Sequence, residues 1–494
     1  MTKRLFAVEP ATLRELLASR AQTHPDRLAF AEGDAELSYR ALFDDASAIA
    51  AGLVASGALS GTSGERVALS IPAGLAFVRL FWALQLLGVT TCALNPYTPA
   101  ASVLKRAMRI RPRLLVTHDE EVARLAEVPA LLLQDLPRSR DPLPRNDIDP
   151  EDIAILQTTS GTSGEPRAAM IRHRNVLLSV AGAVESLGYG PDDVLVSWVP
   201  PWHDLGLIRF MIGSVYFGAP CHIVQPAIAT IPDWLRTISR VGGTITGAPD
   251  FAYRLATRLV DPKSVNLRSL KYATNGGEPV RLTTIEAFEQ TFDVPGVILP
   301  GYGLAEATLG VTCRVAGEAL RVDARGNVSC GRLLPHLELR IAGDGEIVLR
   351  GPVVFAGYFE QENVLQDGWL HTGDVGHLDE DGHLYVLGRK RAMLKRGGAV
   401  LAPRELEEIA QRVHGVRIAM AVGVTSKFAT EEIVVAVEAD AEEERVKREI
   451  VEAIQRELGF APERVLTFAR NTLPRTYNGK LRHDALRQQL ESAP

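Results

Sequence analysis

The sequence predicts an α/β fold in a large N-terminal part, followed by a small α+β domain at the C-terminal end. Three observations predict it. Over roughly the first 390 residues, short apolar runs rich in β-branched residues alternate with amphipathic stretches, as in a mostly parallel sheet covered by helices. The chain has 494 residues, more than one core supports, since single cores rarely grow beyond roughly 250–300 residues. The character then changes after Gly388. There a basic run, Arg389-Lys390-Arg391 to Lys395-Arg396, leads into a compact segment of about 105 residues, a normal domain size.

In chain order, amphipathic spacing places helices over Thr12–Thr23, Tyr39–Ser56, Ala73–Leu87, Asp204–Phe217 and Thr283–Phe292. Apolar β-branched runs place strands over Arg66–Ile71, Arg113–Thr117, Asp193–Val199 and Val297–Leu299. Asp141 to Pro150, rich in Pro, Asp and Arg, reads as a surface connection. The last segment reads as helix Pro403–Val413, strands Ile418–Val424 and Glu432–Val437, and charged helix Glu442–Leu458. The division expected is 1–388 and 389–494. No repeats, heptads or low-complexity tracts interrupt the pattern.

Nearly half the residues are apolar and charged residues are ordinary in number, which fits a globular protein. The net charge of −6 gives no reason to expect nucleic acid as a partner. Cys92, Cys221, Cys313 and Cys330 are scattered, with no C-x-x-C pair and no His/Cys cluster at metal spacing. They suit a reducing compartment as buried small apolar residues. The N-terminus lacks a signal-peptide core, and the apolar run Gly74–Leu87 carries Arg79 and is too short to span a bilayer. A cytoplasmic protein without a membrane span is expected.

The most informative stretch is Thr158-Thr159-Ser160-Gly161-Thr162-Ser163-Gly164-Glu165-Pro166-Arg167. Glycines let backbone N–H groups turn toward an anion, hydroxyls add adjustable donors, and a cation closes the loop. That combination suits nucleotide phosphates. No Gly-Lys-Ser/Thr follows, so this is not a P-loop.

Further unusual segments follow in order: Pro200-Pro201-Trp202-His203-Asp204-Leu205-Gly206, Asn275-Gly276-Gly277-Glu278-Pro279, Gly301-Tyr302-Gly303-Leu304-Ala305-Glu306-Ala307-Thr308-Leu309, Thr372-Gly373-Asp374, Gly388-Arg389, and Pro474-Arg475-Thr476-Tyr477-Asn478-Gly479-Lys480. This ordered series resembles the acyl-adenylate-forming superfamily. Within it, the segments around His203, Ala248-Pro249-Asp250-Phe251 and Glu306 look most like fatty acyl-AMP ligases. The interval from Thr308 to Thr372 is short, leaving little room for an extra segment such ligases carry, one associated with refusing CoA.

The resemblance implies a large adenylate-forming domain of several α/β subdomains with a mobile C-terminal lid hinged near Arg391. It implies activation of a fatty or other lipophilic carboxylic acid by ATP and Mg²⁺ to acyl-AMP and pyrophosphate. Transfer to the phosphopantetheine thiol of an acyl carrier protein then follows. Alternatives are an acyl-CoA synthetase, an adenylating enzyme for a β-amino or aryl acid, and an inactive relative that binds nucleotide or carrier without turnover.

Two anions must meet in such a reaction, so positioning and charge neutralisation dominate. By resemblance, Lys480 bridges carboxylate and α-phosphate, Lys395 serves the thiol step, and His203 lies near the reacting carboxylate. Thr159, Ser160, Gly161, Thr162, Ser163, Gly164 and Arg167 cradle phosphates; Arg167-Ala168 stands where relatives have Lys-Gly. Gly276, Gly277 and Glu278 contact adenine, Tyr302 lays its ring on it, and Gly303 permits close approach. Asp374 and Arg389 take the ribose, and Glu306 holds Mg²⁺. Ala305 replaces a common Thr. Taken alone, Asp204 also reads as a helix N-cap. Asp250 is the single candidate counter-charge for an amino group in the acyl pocket.

Overall fold

The computed structural model describes residues 5–6, 8–144, 146–159, 167–396, 399–425, 431–475 and 481–492. A nine-stranded sheet carries the centre of the molecule. Its middle is parallel, with Ile298–Leu304, Tyr272–Asn275, Ile245–Ala248, Leu195–Ser197, Cys221–Ile223 and Leu28–Glu32 side by side in that order. A six-stranded sheet contains Arg66–Ser70, Thr90–Ala93 and Leu114–Thr117 and ends on the antiparallel pair Ile153–Thr159 and Arg167–Arg172. A four-stranded antiparallel sheet follows, from Glu338–Ile341 to Leu384–Arg389. The α/β class expected from the alternating pattern is what the chain adopts.

Apolar helices join the two large sheets. Leu75–Leu86 is buried along most of its length, and Phe77, Phe81 and Trp82 pack with Phe30 of one sheet and Val67 of the other in a single core. Each such ring contributes roughly 1.5–3 kcal/mol by leaving water. Arg79 escapes the apolar face by pairing with Asp45 at 2.6 Å. Among the described residues no helix is long and apolar enough to cross a membrane. The four cysteines are free and buried.

His173 ties two helix starts together. Thr12 caps the helix Leu13–Thr23 by accepting from the Glu15 N–H, and the imidazole Nδ1 of His173 accepts the Leu13 N–H at 3.2 Å. An accepting Nδ1 leaves the proton on Nε2, in a site with no exposure. Burial, opposed in part by Asp152, pulls this histidine from 6.5 down to about 4. The unfolded chain therefore binds a proton that the fold refuses. Stability from this group is complete above about pH 6.5 and is lost as pH falls toward 4, amounting to on the order of 3 kcal/mol. Urea unfolding between pH 7 and 4.5 is expected to show that slope, and His173→Gln is expected to flatten it.

Near the C-terminal end, Val416–Thr425, Glu431–Ala439 and Arg464–Phe468 form a three-stranded sheet. Strand alternation divides its side chains between two cores. Ala419, Ala421, Ile433 and Val435 meet Leu406 and Ile409 of helix Pro403–Gln411 and Val446 and Ile450 of helix Glu443–Leu458. Met420, Val422 and Val434 meet Leu486 of helix His483–Ser492 on the other face. Helix Pro403–Gln411 also touches the N-terminal part. The Arg404 Nη2 donates to the Val280 carbonyl at 2.8 Å, and Arg325 stands 3.7 Å from Glu405.

Candidate active site

The carboxyl ends of neighbouring parallel strands carry the unusual segments, the place where open α/β sheets bind ligands. Leu195–Ser197 leads to Trp202-His203-Asp204, Ile245–Ala248 to Asp250, Tyr272–Asn275 to Gly276-Gly277-Glu278, and Ile298–Leu304 contains Tyr302 and Gly303. Their backbones approach closely. A Cβ on Gly276 would lie 2.8 Å from the Gly301 carbonyl oxygen, and one on Gly303 would lie 1.8 Å from that of Leu309. Gly277 has φ +81°, a left-handed turn that glycine takes without strain.

Tyr302, Asp374 and Arg389, 87 positions apart at their extremes, stand together. The Tyr302 hydroxyl donates to Asp374 Oδ2 at 2.7 Å, and Arg389 Nε lies 3.1 Å from Asp374 Oδ1. Burial first, and the Asp374 charge second, push the Tyr302 phenol well above its ordinary range, so it stays a donor. The antiparallel pairing of Asp374 with Arg389 across Leu370–Leu378 and Leu384–Arg389 sets this geometry. Gly373 turns the strand at φ +71°, and its N–H is held by Glu346 Oε1 at 2.8 Å. The other Glu346 oxygen meets Lys390 Nζ at 3.0 Å and His371 Nδ1 at 3.2 Å. Burial would raise this carboxyl, but Lys390, His371 and the Gly373 N–H outweigh it and hold it below its usual range.

Glu306 sits on the short turn Ala305–Ala307, followed by Thr308 and Leu309 in left-handed backbone at φ 51° and 93°. Such backbone in a branched residue is strained and persists where the surroundings fix it. Here the Ser179 hydroxyl donates to the Thr308 carbonyl at 2.6 Å, and the Thr308 hydroxyl to the Val353 carbonyl at 2.6 Å. The buried Glu306 Oε1 accepts from the Tyr358 hydroxyl at 2.5 Å, and the Arg167 guanidinium lies 4.0 Å over the Tyr358 ring. Thr159 pairs with Arg167 across the hairpin. Thr159 Oγ1 and Arg167 Nε are buried and have no hydrogen-bond partner among the described residues, donors of the kind an anion would satisfy. Ser160, Gly161, Thr162, Ser163 and Gly164, expected in the same cradle, lie outside the described residues. Ala168 is explained by the strand: it is buried, pairs with Thr158 and accepts the Phe359 N–H at 2.8 Å.

His203 Nδ1 lies 2.7 Å from Asp204 Oδ1, with the imidazole half-exposed. A Cβ on Gly277 would stand 4.0 Å from the His203 ring, so the histidine borders the glycine turn. Asp204 caps the following helix by accepting the Leu205 N–H at 2.8 Å. Burial raises the Asp204 carboxyl, but His203 and that N–H prevail and lower it. The helix is not the uniform α-helix expected over Asp204–Phe217. Leu205–Ile212 is a π-helix and only Gly213–Phe217 is α. A π segment is rare and concentrates at functional positions.

Asp250 requires a correction. It is fully buried and accepts from Thr284 Oγ1 at 2.9 Å, Arg281 N–H at 3.1 Å and Asn275 Nδ2 at 3.2 Å. Its charge fastens the helix Leu282–Phe292 to the strand end and is not presented to a substrate amine. Glu278 also has a structural partner, accepting the Phe251 N–H at 2.6 Å. Lys480 lies outside the described residues, and so does the Lys395 side chain. The Lys395 backbone pairs with Val400 in a two-stranded ribbon next to the short turn Lys390–Ala392 that holds Arg391. Among the described residues no cluster of three His, Cys, Asp or Glu could hold a metal by itself. Sequence reading missed Tyr358 and Glu346, which no motif marks.

A family model described as "AMP-binding enzyme" matches residues 17–359. A putative ligase of Mycobacterium tuberculosis is 33% identical over 69% of this chain and 72% of its own length. A medium-chain-fatty-acid–[acyl-carrier-protein] ligase of Moorena producens is 27% identical over 97% of this chain and 95% of its own. A solved structure from a study of fatty acyl-adenylate ligases from E. coli and L. pneumophila superposes with a TM-score of 0.84 at 26% identity, covering 97% of both chains.

Proposed function

We propose, on the premise that this chain belongs to the AMP-binding enzyme family and is an AMP-forming acyl ligase, that it charges an acyl carrier protein with a lipophilic carboxylic acid. The observation that carries the reading is the line Thr159, Arg167, Tyr358, Glu306, in which buried donors unengaged among the described residues stand beside a buried carboxylate. The relative from Moorena producens, named for transfer to a carrier protein, supports the choice of acceptor.

In this reading a substrate carboxylate oxygen attacks the α-phosphorus of ATP, and the bond to pyrophosphate breaks. Thr159, Arg167 and the loop 160–164 hold the departing phosphates, Arg in a forked geometry. Asp374 accepts from the ribose hydroxyls and Arg389 closes beside it. Tyr302 and Gly276-Gly277-Glu278 border the adenine. Glu306 would hold Mg²⁺ as a hard oxygen ligand. Bound there, Mg²⁺ neutralises charge developing on the phosphates. Lys480 bridges the two anions, a task suited to a compact ammonium. We take residues 389–494 as a lid hinged at Arg391, which turns to present Lys395 for attack by the phosphopantetheine thiol on the acyl carbonyl, with AMP leaving. His203 borders the reacting carboxylate.

CoA is the second acceptor to weigh, favoured by the short interval between Thr308 and Thr372. A β-amino acid is disfavoured, because Asp250 is engaged by the protein. Incubation of ATP, Mg²⁺ and an acid panel with either CoA or a phosphopantetheinylated carrier, followed by intact-mass analysis, separates the readings. Acylated carrier with unmodified CoA is the expected result; acyl-CoA with uncharged carrier overturns the acceptor. The absence of pyrophosphate release with every acid overturns the reaction.

A further inference from the structure

A single charge stands inside the apolar π-helix. Arg209 is only 6% exposed. Its Nη1 donates to the Tyr189 hydroxyl at 3.2 Å, and its guanidinium carbon lies 5.4 Å from that ring's centroid. A guanidinium offers five N–H donors and cannot shed its charge, yet among the described residues no carboxylate lies within the 4.0 Å of an ion pair. Two of the groups around it, Tyr189 and Cys313, are neutral. Burial pushes the Tyr189 phenol upward and the Cys313 thiol up to about 11. A buried charge without a counter-charge costs several kcal/mol, so an arginine held this way calls for an anion.

The placement says where that anion comes from. In the π segment the Gly213 N–H bonds to the Ile208 carbonyl, a five-residue step. Arg209 is carried on the same helix that Asp204 caps beside His203, five residues further on. Its Nη2 would be 3.8 Å from a Cβ on Gly310, and Gly310 pairs with Gly303 on the strand that carries Tyr302. The guanidinium thus faces a glycine one strand-spacing behind the strand that carries Tyr302, the side on which the acyl ligase reading puts the acyl chain. Beside it, a Cβ on Gly310 would also lie 2.9 Å from the apolar Leu334 Cδ1.

We propose that Arg209 binds a second carboxylate on the substrate, so that the acid activated is a dicarboxylic acid with an apolar spacer: one end reacts and the other is held by the guanidinium. Planar bidentate recognition is what Arg does best with carboxylate, and Tyr189 fixes the fork by ring and hydroxyl. The inference rests on the acyl ligase reading and names its substrate class.

The test compares saturated monocarboxylic and α,ω-dicarboxylic acids of equal length, from four to twelve carbons, by pyrophosphate release and by calorimetric binding without ATP. Wild-type protein is expected to favour the best dicarboxylate over its monocarboxylate at least tenfold in kcat/KM. Arg209→Met is expected to lower the dicarboxylate value about a hundredfold and to raise the monocarboxylate value. Should that variant not fold, Arg209→Lys decides, with an expected loss of about tenfold in the preference. Equal use of both acid series by the wild type, or variants that lower both series alike, overturns the proposal and leaves Arg209 a packing cation. If no acid releases pyrophosphate, the ligase reading fails by itself. Calorimetric binding of a dicarboxylate that disappears in Arg209→Met then still supports the subsite, and its absence removes it.

Discussion

Glu306→Gln is expected to slow acid-dependent pyrophosphate release about 10²–10³-fold, the usual cost of removing one preorganised charge-stabilising group, with little change in unfolding midpoint. The substitution keeps shape and the Tyr358 hydrogen bond, whose 2.5 Å contact an amide oxygen can still accept, but removes the charge that an Mg²⁺–phosphate complex needs. The defect should appear in kcat with ATP saturating and should shift the Mg²⁺ dependence to higher concentration. Tyr358→Phe separates charge from orientation. It keeps the Glu306 side chain but removes its orienting donor, so a milder loss of about tenfold is expected, in the manner of removed supporting contacts to metal ligands. An undiminished rate in Glu306→Gln would remove this carboxylate from the reaction.

The second large effect is one of packing. Gly303→Ala would set a Cβ 1.8 Å from the Leu309 carbonyl oxygen and 2.8 Å from its carbon. Backbone cannot rotate aside as a side chain does, and interiors are close-packed. The strand pair Ile298–Leu304 and Leu309–Cys313 must part, carrying Tyr302 and Glu306 with it. A loss of at least about 3 kcal/mol in urea unfolding is expected, the upper range of overpacking costs, together with loss of pyrophosphate release. At Gly343 a Cβ would meet nothing within 4 Å, and the backbone there is not left-handed, so Gly343→Ala should stay within about 0.5 kcal/mol of the parent.

Much of this was legible in the residues. Apolar β-branched runs announced the strands, and the segments at Trp202-His203-Asp204, Gly276-Gly277-Glu278 and Tyr302-Gly303 fall at or beside neighbouring strand ends. The π-helix was not legible. Leu205–Ile212 is apolar at every position but Gly206 and Arg209, and an almost uniformly buried helix shows no stripe by which its pitch could be read. Arg209 stands out in that run as a lone charge, but a single cation in an apolar helix carries no motif to say what it faces. Asp250 misled because an acid after Ala-Pro reads the same whether it faces a pocket or a neighbouring helix; Thr284 and the Arg281 N–H, which decide the matter, are more than thirty positions away. The Glu306–Tyr358 bond spans 52 positions with no regular spacing between its partners. Such long-range pairings belong to topology and leave no local trace.

The contact between helix Pro403–Gln411 and the Val280 carbonyl has a bearing on how the smaller lobe can behave. A guanidinium resting on a peptide oxygen gives up little when it swaps that oxygen for water, because the net worth of such a bond is only about 1–3 kcal/mol. On the lid reading proposed above, fastenings of this sort would let two postures lie close in energy. Whatever occupies the cleft can then tip the balance by contacts of its own.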